Sequence, residues 1–130
     1  MSRIGGGSYF GAGCRVRGEV EATFILGNAN KAHDGFVGHS YVAEWVNLGA
    51  LTTTSDLKNN YGPVHLDAYG RRVDTGQAKI GSFIGDHAKT RIGTLLNSGS
   101  VVGLAANLFD EASLFPKWVP DLAWGGGPGT

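Results

Sequence analysis

Ile84, Thr90, Leu96 and Val102 follow one another at intervals of six, and the residues four places after each, Ala88, Thr94, Ser100 and Ala106, are all small. The same interval joins Ile4, Phe10 and Val16 near the N-terminus, with Ser8, Cys14 and Val20 in the small place. It also joins Val42 to Leu48, which are followed by Val46 and Thr52, while Ile25, Lys31 and Val37 keep a looser version. A helix would space its apolar residues at three and four, so an interval of six with a small residue at plus four argues against helices and predicts an all-β solenoid, a parallel β-helix. In such a chain each hexad supplies one short strand and one corner, three hexads close a triangular coil, and coils stack about 4.8 Å apart through parallel ladders. The first residue of a hexad fills the interior of a narrow prism, and the fifth must be small because the corner is crowded.

That architecture accounts for the composition. Glycine makes up 22 of the 130 residues, well above the usual share of about 7%. The glycines stand beside aliphatic residues in a chain that is 42% hydrophobic, which sets them apart from a flexible linker. In second place of a hexad, glycine permits the tight backbone turn. The length fits one domain over residues 1–130. Two stretches leave the register. Residues 58–79, "KNNYGPVHLDAYGRRVDTGQAK", contain Gly-Pro, Tyr-Gly and Asp-Thr-Gly turn signals and predict a hairpin-like excursion returning at Ile80. The tail, residues 109–130, has Phe115, Trp118 and Trp124 separated by Pro116 and Pro120; it cannot form a regular helix and is expected to lie extended as a cap over the open solenoid end.

Lys plus Arg and Asp plus Glu both number 11, so no positive field is available to hold a nucleic-acid backbone or an anionic membrane. Base-stacking aromatics are sparse as well. No apolar run approaches the ~20 residues that span a bilayer, and the glycine-rich N-terminus lacks the apolar centre of a signal peptide, which predicts a cytoplasmic protein. The single Cys14 cannot form an intrachain disulfide and is expected as a small buried residue at a corner.

Four segments carry a resemblance: "NKAHDGFVGHSYVAEWVNLGA", "TTTSDLKNNYG", "GRRVDTGQAKIG" and "IGDHAKTRIGTLLNSGSVVG". They are similar to the C-terminal domain of bacterial and archaeal sugar-1-phosphate nucleotidyltransferases, which is one of the left-handed β-helix acyltransferases. In the bifunctional members that domain resembles a glucosamine-1-phosphate N-acetyltransferase, companion of the uridyltransferase that makes UDP-N-acetylglucosamine. The likeness spans residues 4–124. It implies a left-handed parallel β-helix, transfer of an acetyl group from acetyl-CoA to an amino-sugar 1-phosphate, a homotrimer with sites between neighbouring prisms, and as partner an N-terminal nucleotidyltransferase domain not contained in these residues. The alternative is a non-catalytic trimerisation or regulatory domain, since some nucleotidyltransferases carry this domain without demonstrated acyl transfer.

Carried over residue by residue, the resemblance places the catalytic histidine on His33. Acetyl transfer needs the amine deprotonated as it attacks, and an imidazole, ordinarily titrating near ~6.5, can take that proton near neutral pH. The corner Gly49-Ala50 is expected to meet the acyl donor and hold the developing oxyanion. Asp56 stands where related domains often have asparagine, and next to His33 it would polarise the imidazole. Phe36 stands where they usually have tyrosine, so a hydroxyl is missing there. Asn47, Lys58, Asn59 and Asn60 are expected on the substrate, with Lys58 holding phosphate, helped by Arg3 or Arg17 and by Arg71 and Arg72 of the excursion. Lys89 is expected near the donor's phosphates.

The residues alone leave His33 open between a base, a metal ligand and a polar corner residue. His39 is expected as a structural or rim residue, and His65 and His87 as surface residues. Zinc needs three or four ligands; histidines six apart do not match the five-apart pair of the β-helix carbonic anhydrases, so no metal is expected. "GGGSYFGAG" lacks the Gly-Lys-Ser/Thr ending and the following helix of a phosphate loop.

Overall fold

The structure, a computed structural model describing residues 2–111 and 114–127, is an all-β parallel solenoid with no helix among the described residues. Three faces stack coil upon coil. An aromatic face ladders the strands Tyr9–Phe10, Phe24–Ile25, Tyr41–Val42, Phe83–Ile84, Val101–Val102 and Trp118–Val119. An amide face ladders Arg15–Val16, Asn30–Lys31, Asn47–Leu48, Lys89–Thr90, Asn107–Leu108 and Trp124–Gly125. The third face is split. Arg3–Ile4, Glu19–Glu21 and Phe36–Gly38 form one sheet, Thr53–Thr54 and Leu95–Leu96 another, and Phe115 bridges to Leu96 beyond them.

Because side chains alternate along a strand, a two-residue strand sends one side chain out and the next in. The inward residues of the aromatic face above the first coil, Ile25, Val42, Ile84, Val102 and Val119, are at most 1% exposed. Each such burial stabilises the fold by about 1.5–3 kcal/mol. They meet Val37, Leu48, Leu96, Leu108 and Phe115 from the other two faces along the prism axis.

The corners vary in length. Val20, expected as a small corner residue, is a fully buried inward residue that pairs with Ile4 below and Val37 above. The reason is that the corner after Val16 is short, so the chain re-enters a strand two residues early. Cys14 is half-buried against the core, its thiol donating to the Leu26 carbonyl at 2.8 Å.

The chain leaves the prism after Asp56, where Leu57 bridges antiparallel to Lys79. His65–Ala68 and Arg71–Asp74 form an antiparallel hairpin whose turn residues, Tyr69 and Gly70, both have positive φ (52° and 72°), the signature of a type I′ turn. The hairpin is tied to the last coils: Lys117 donates to the His65 carbonyl at 2.6 Å, the Tyr69 hydroxyl to Asp121 at 2.8 Å, and the Tyr69 and Trp118 rings meet at 4.5 Å. The tail does more than lie extended. Phe115 and Val119 enter the core, and the strands at 118–119 and 124–125 add a further rung to two faces. Pro116 and Pro120 flank the first of these strands, where they cost it no ladder donor. Residues 112–113 and 128–130 of the expected tail lie outside the described residues.

Candidate functional site

The split face carries the residues expected to form one site, but it divides them between its two edges. At the corner between the amide and split faces, His33-Asp34-Gly35 lies directly under Gly49-Ala50-Leu51, and the Leu51 amide donates to the Asp34 carbonyl at 2.7 Å. The His33 ring is exposed and has no hydrogen-bond partner among the described residues. Its backbone is anchored from inside by Lys31, only 3% exposed, whose ammonium donates to the carbonyls of Arg17, His33 and Gly35 at 2.7, 3.0 and 2.7 Å. Burial lowers the Lys31 pKa from its ordinary value, and the carboxylates of Asp34 and Glu19 push it back up.

The two amides of the expected oxyanion corner differ. Gly49 N–H is already donated to the carbonyl and the hydroxyl of Thr90, at 3.0 and 3.1 Å. Ala50 N–H has no partner among the described residues. Asn47 and Lys89 are ladder neighbours that point outward on the amide face, one strand before this corner.

At the opposite edge the structure pairs Asp56 with His39 and not with His33. His39 Nδ1 and Asp56 Oδ2 are 2.8 Å apart, with 26% and 16% of the two side chains exposed. The expected polarisation of His33 by Asp56 is therefore replaced by a tie at the other corner, because the strand Phe36–Gly38 lies between the two histidines. His39 takes φ 47°, donates its amide to Glu21 and accepts from Gly81. Its ring was expected in a structural or rim role, and the bond to Asp56 is a structural one. The Phe36 ring folds back over Gly38 toward this pair: a Cβ on Gly38 would collide with the ring edge and lie 2.6 Å from Asp56 Oδ2. Here the ladder between neighbouring coils gives way to a side-chain bond, the Gly38 amide donating to Thr54 Oγ1 at 3.2 Å.

Above this point Lys58, Asn59 and Asn60 share a groove of about 450 Å³ with Ser55 and Asn97. Below Phe36 a second groove, about 380 Å³, brings Arg3 together with Glu19 and Asp34. Arg71 and Arg72, expected beside Lys58, line a separate groove with Trp118, and Arg72 is engaged by Asp74 at 3.1 Å. His87 stacks on Trp45 at the corner between the aromatic and amide faces. Among the described residues no group of three or more His, Cys, Asp or Glu could hold a metal ion, and no helix is long and apolar enough to cross a membrane.

No family model matches the chain. A bifunctional sugar-1-phosphate nucleotidylyltransferase/acetyltransferase of Sulfurisphaera tokodaii is 33% identical over 94 residues, which are 72% of this chain and 23% of that protein. The bifunctional protein GlmU of Methanocaldococcus jannaschii and that of Methanococcus vannielii are each 34% identical over 85 residues, 65% of this chain. The chain spans only 21% and 20% of those two proteins. With its stacked parallel coils, the chain belongs with the hexapeptide-repeat β-helix domains of the GlmU-type bifunctional sugar-1-phosphate nucleotidyltransferase/acetyltransferases.

Proposed function

We propose that this chain transfers an acetyl group from acetyl-CoA to the amine of an amino-sugar 1-phosphate, with His33 as general base. One observation supports this most: the exposed His33 ring and the unpartnered Ala50 amide belong to corners stacked one above the other. Stacked corners lie about 4.8 Å apart in rise, so a proton acceptor and an oxyanion donor share one small region, as acyl transfer requires. The amine attacks the thioester carbonyl, a C–N bond forms as the C–S bond breaks, and the amine proton passes through His33 to the departing thiolate. Ala50 N–H holds the carbonyl oxygen while it carries charge. Lys58, Asn59 and Asn60 hold the phosphate end of the sugar. Asn47 contacts the substrate, and Lys89 reaches a phosphate of acetyl-CoA.

His33 and the Lys58 groove lie on opposite edges of one prism, so the active centre is assembled between copies of a homotrimer, each copy giving one edge. The aromatic face supplies the contact surface: its outward residues Tyr9, Phe24, Tyr41 and Phe83 are 54%, 54%, 40% and 36% exposed, an apolar stripe of the kind that marks an interface. The same stripe favours the second reading, a non-catalytic assembly domain. Acetyl-CoA consumption measured against a panel of amino-sugar 1-phosphates separates the two. Turnover that His33→Ala abolishes supports the transferase; a trimeric chain saturated with acetyl-CoA that acetylates none of them is an assembly domain. A stable monomer by light scattering at micromolar concentration would remove the assembly from both.

A further inference from the structure

Lys31 occupies a position where the fold asks for an apolar residue. It is the inward residue of its strand, aligned with Val16 below, and it is followed on the same face by Leu48. A lysine here needs a reason, because an ammonium inside a prism must be fully hydrogen-bonded to be tolerated. The reason lies in two corners of unequal length. The lower one runs from Val16 to Val20 and the upper one from Lys31 to Val37, although Val16 pairs with Lys31 and Val20 with Val37. The upper corner therefore has two more residues to accommodate than the lower. The ladder spans the mismatch only at its ends, through Arg17 N–H to the Lys31 carbonyl and Glu19 N–H to the Gly35 carbonyl. Between those ends the carbonyls of Arg17, His33 and Gly35 converge on one point, and the Lys31 ammonium fills it. Its three N–H donors meet three carbonyl acceptors, which uses them all.

The lower corner leaves no slack around that point. Gly18 lies there with φ 87°; a Cβ on it would stand 2.7 Å from Lys31 Nζ and 2.8 Å from the His33 carbonyl. Two of the three acceptors belong to the corner that carries His33. With no partner for its ring among the described residues, His33 is placed by its backbone, and its backbone is held by the ammonium.

We propose that Lys31 is a positioning residue for His33, its buried ammonium fixing the corner from which the imidazole reaches the acceptor amine. The proposal rests on the reading of His33 as the base. A misplacement of about 1 Å at a reacting group can cost on the order of 100-fold in rate, so Lys31→Met, which keeps the length but leaves the Arg17 and His33 carbonyls without a donor and the Gly35 carbonyl with Glu19 N–H alone, should lower kcat by about 10- to 100-fold. KM for acetyl-CoA should stay near the wild-type value.

The test is a double-mutant cycle on the assembled chain: wild type, Lys31→Met, His33→Ala and the pair, each assayed for kcat with acetyl-CoA and the best amino-sugar 1-phosphate. If Lys31 acts through His33, Lys31→Met costs nothing further once His33 is alanine. Equal losses in both backgrounds, or no loss in either, overturn the proposal. If His33→Ala alone retains full turnover, the base reading is what fails, and the cycle shows it separately. Should Lys31→Met not fold, lysine-selective ¹⁵N spectra of the wild-type chain decide. One ammonium in slow exchange with water, with its signal perturbed by Gly18→Ala, supports the clamp, and ammonium signals that all exchange freely overturn it.

Discussion

At the amide-side corner of the split face the His33 ring is free and its backbone is bound; at the aromatic-side corner the His39 ring is bound and its backbone is bent into a left-handed turn. The two histidines are six residues apart and flank the same three-residue strand, yet they are held by opposite means. A ring with no partner among the described residues, on a pinned backbone, is open to a ligand. A ring tied to a carboxylate closes a corner where the ladder is interrupted and the hairpin departs, and its first task is to join two coils. Residue type is thus a poor guide to role in a solenoid; what an imidazole does follows from which of its parts the coils already hold.

The largest expected effects fall on the two rings themselves. His33→Ala should lower turnover by roughly 100- to 10,000-fold while moving stability by no more than about 0.5 kcal/mol, as for an exposed residue without partners. His39→Ala should do the reverse. Leaving Asp56 without its partner should cost about 1–3 kcal/mol, with a much smaller kinetic loss. Steady-state rates and denaturant melts on the same samples check both, and equal kinetic losses from the two substitutions would break the contrast.

Asp56 sharpens it. Asp56→Asn keeps an oxygen to accept from His39 Nδ1–H, so it should cost less than Asp56→Ala, about 1 kcal/mol against about 1–3. Asp56 touches His39 and not His33, so the rising, acid-side limb of the pH–rate profile, where a general base loses its proton, should stay where it is in Asp56→Asn. A limb that moves would make His39 the group that takes the proton.

Gly38→Ala acts at the same edge through space alone. The new methyl would meet the Phe36 ring and the Asp56 carboxylate, and overpacking of this kind costs about 1–3 kcal/mol. The melting temperature should fall while His33-dependent turnover keeps its pH dependence.

The interval of six made the solenoid legible because an inward residue must recur once per face, and Ile84 to Val102 keep that beat without interruption. The site was legible only in part, because its residues were placed by resemblance and the corners that carry them differ in length. A strict hexad coil has eighteen residues, whereas Val20 pairs with Val37 and His39 meets Asp56, both pairs seventeen apart. One residue per coil moves Asp56 from above Gly38 to above His39; His33, a further six residues back, lies across the strand from it at either spacing, so the expected pair followed from the resemblance and from no coil count. The short corner after Val16 had the same effect on Val20 and concealed the reason for Lys31, whose interior place is visible only once the two unequal corners are set one above the other. His33 and Ala50 were placed by the resemblance, and the fold brings them near each other because their corners stand in one column, with Leu51 N–H on the Asp34 carbonyl.

The smallest expected effect belongs to Phe36→Tyr, and it joins the two edges. The Phe36 ring edge and Asp56 Oδ2 both close on the space above Gly38, so a hydroxyl added at Cζ would emerge beside the carboxylate that holds His39. It could donate there and compete with the imidazole, or turn outward to a ligand as the tyrosine of related domains would. The first outcome adds one hydrogen bond to a charged group while loosening another, so the net change in stability should be within about 1 kcal/mol. The second adds one polar contact to the bound acceptor, a gain in kcat/KM of about tenfold or less. Melting and kcat/KM measured together tell them apart. A raised kcat/KM at unchanged stability places the hydroxyl on the substrate and ties Phe36 to the chemistry of the His33 edge. Changed stability at unchanged kcat/KM assigns Phe36 to the tie between His39 and Asp56.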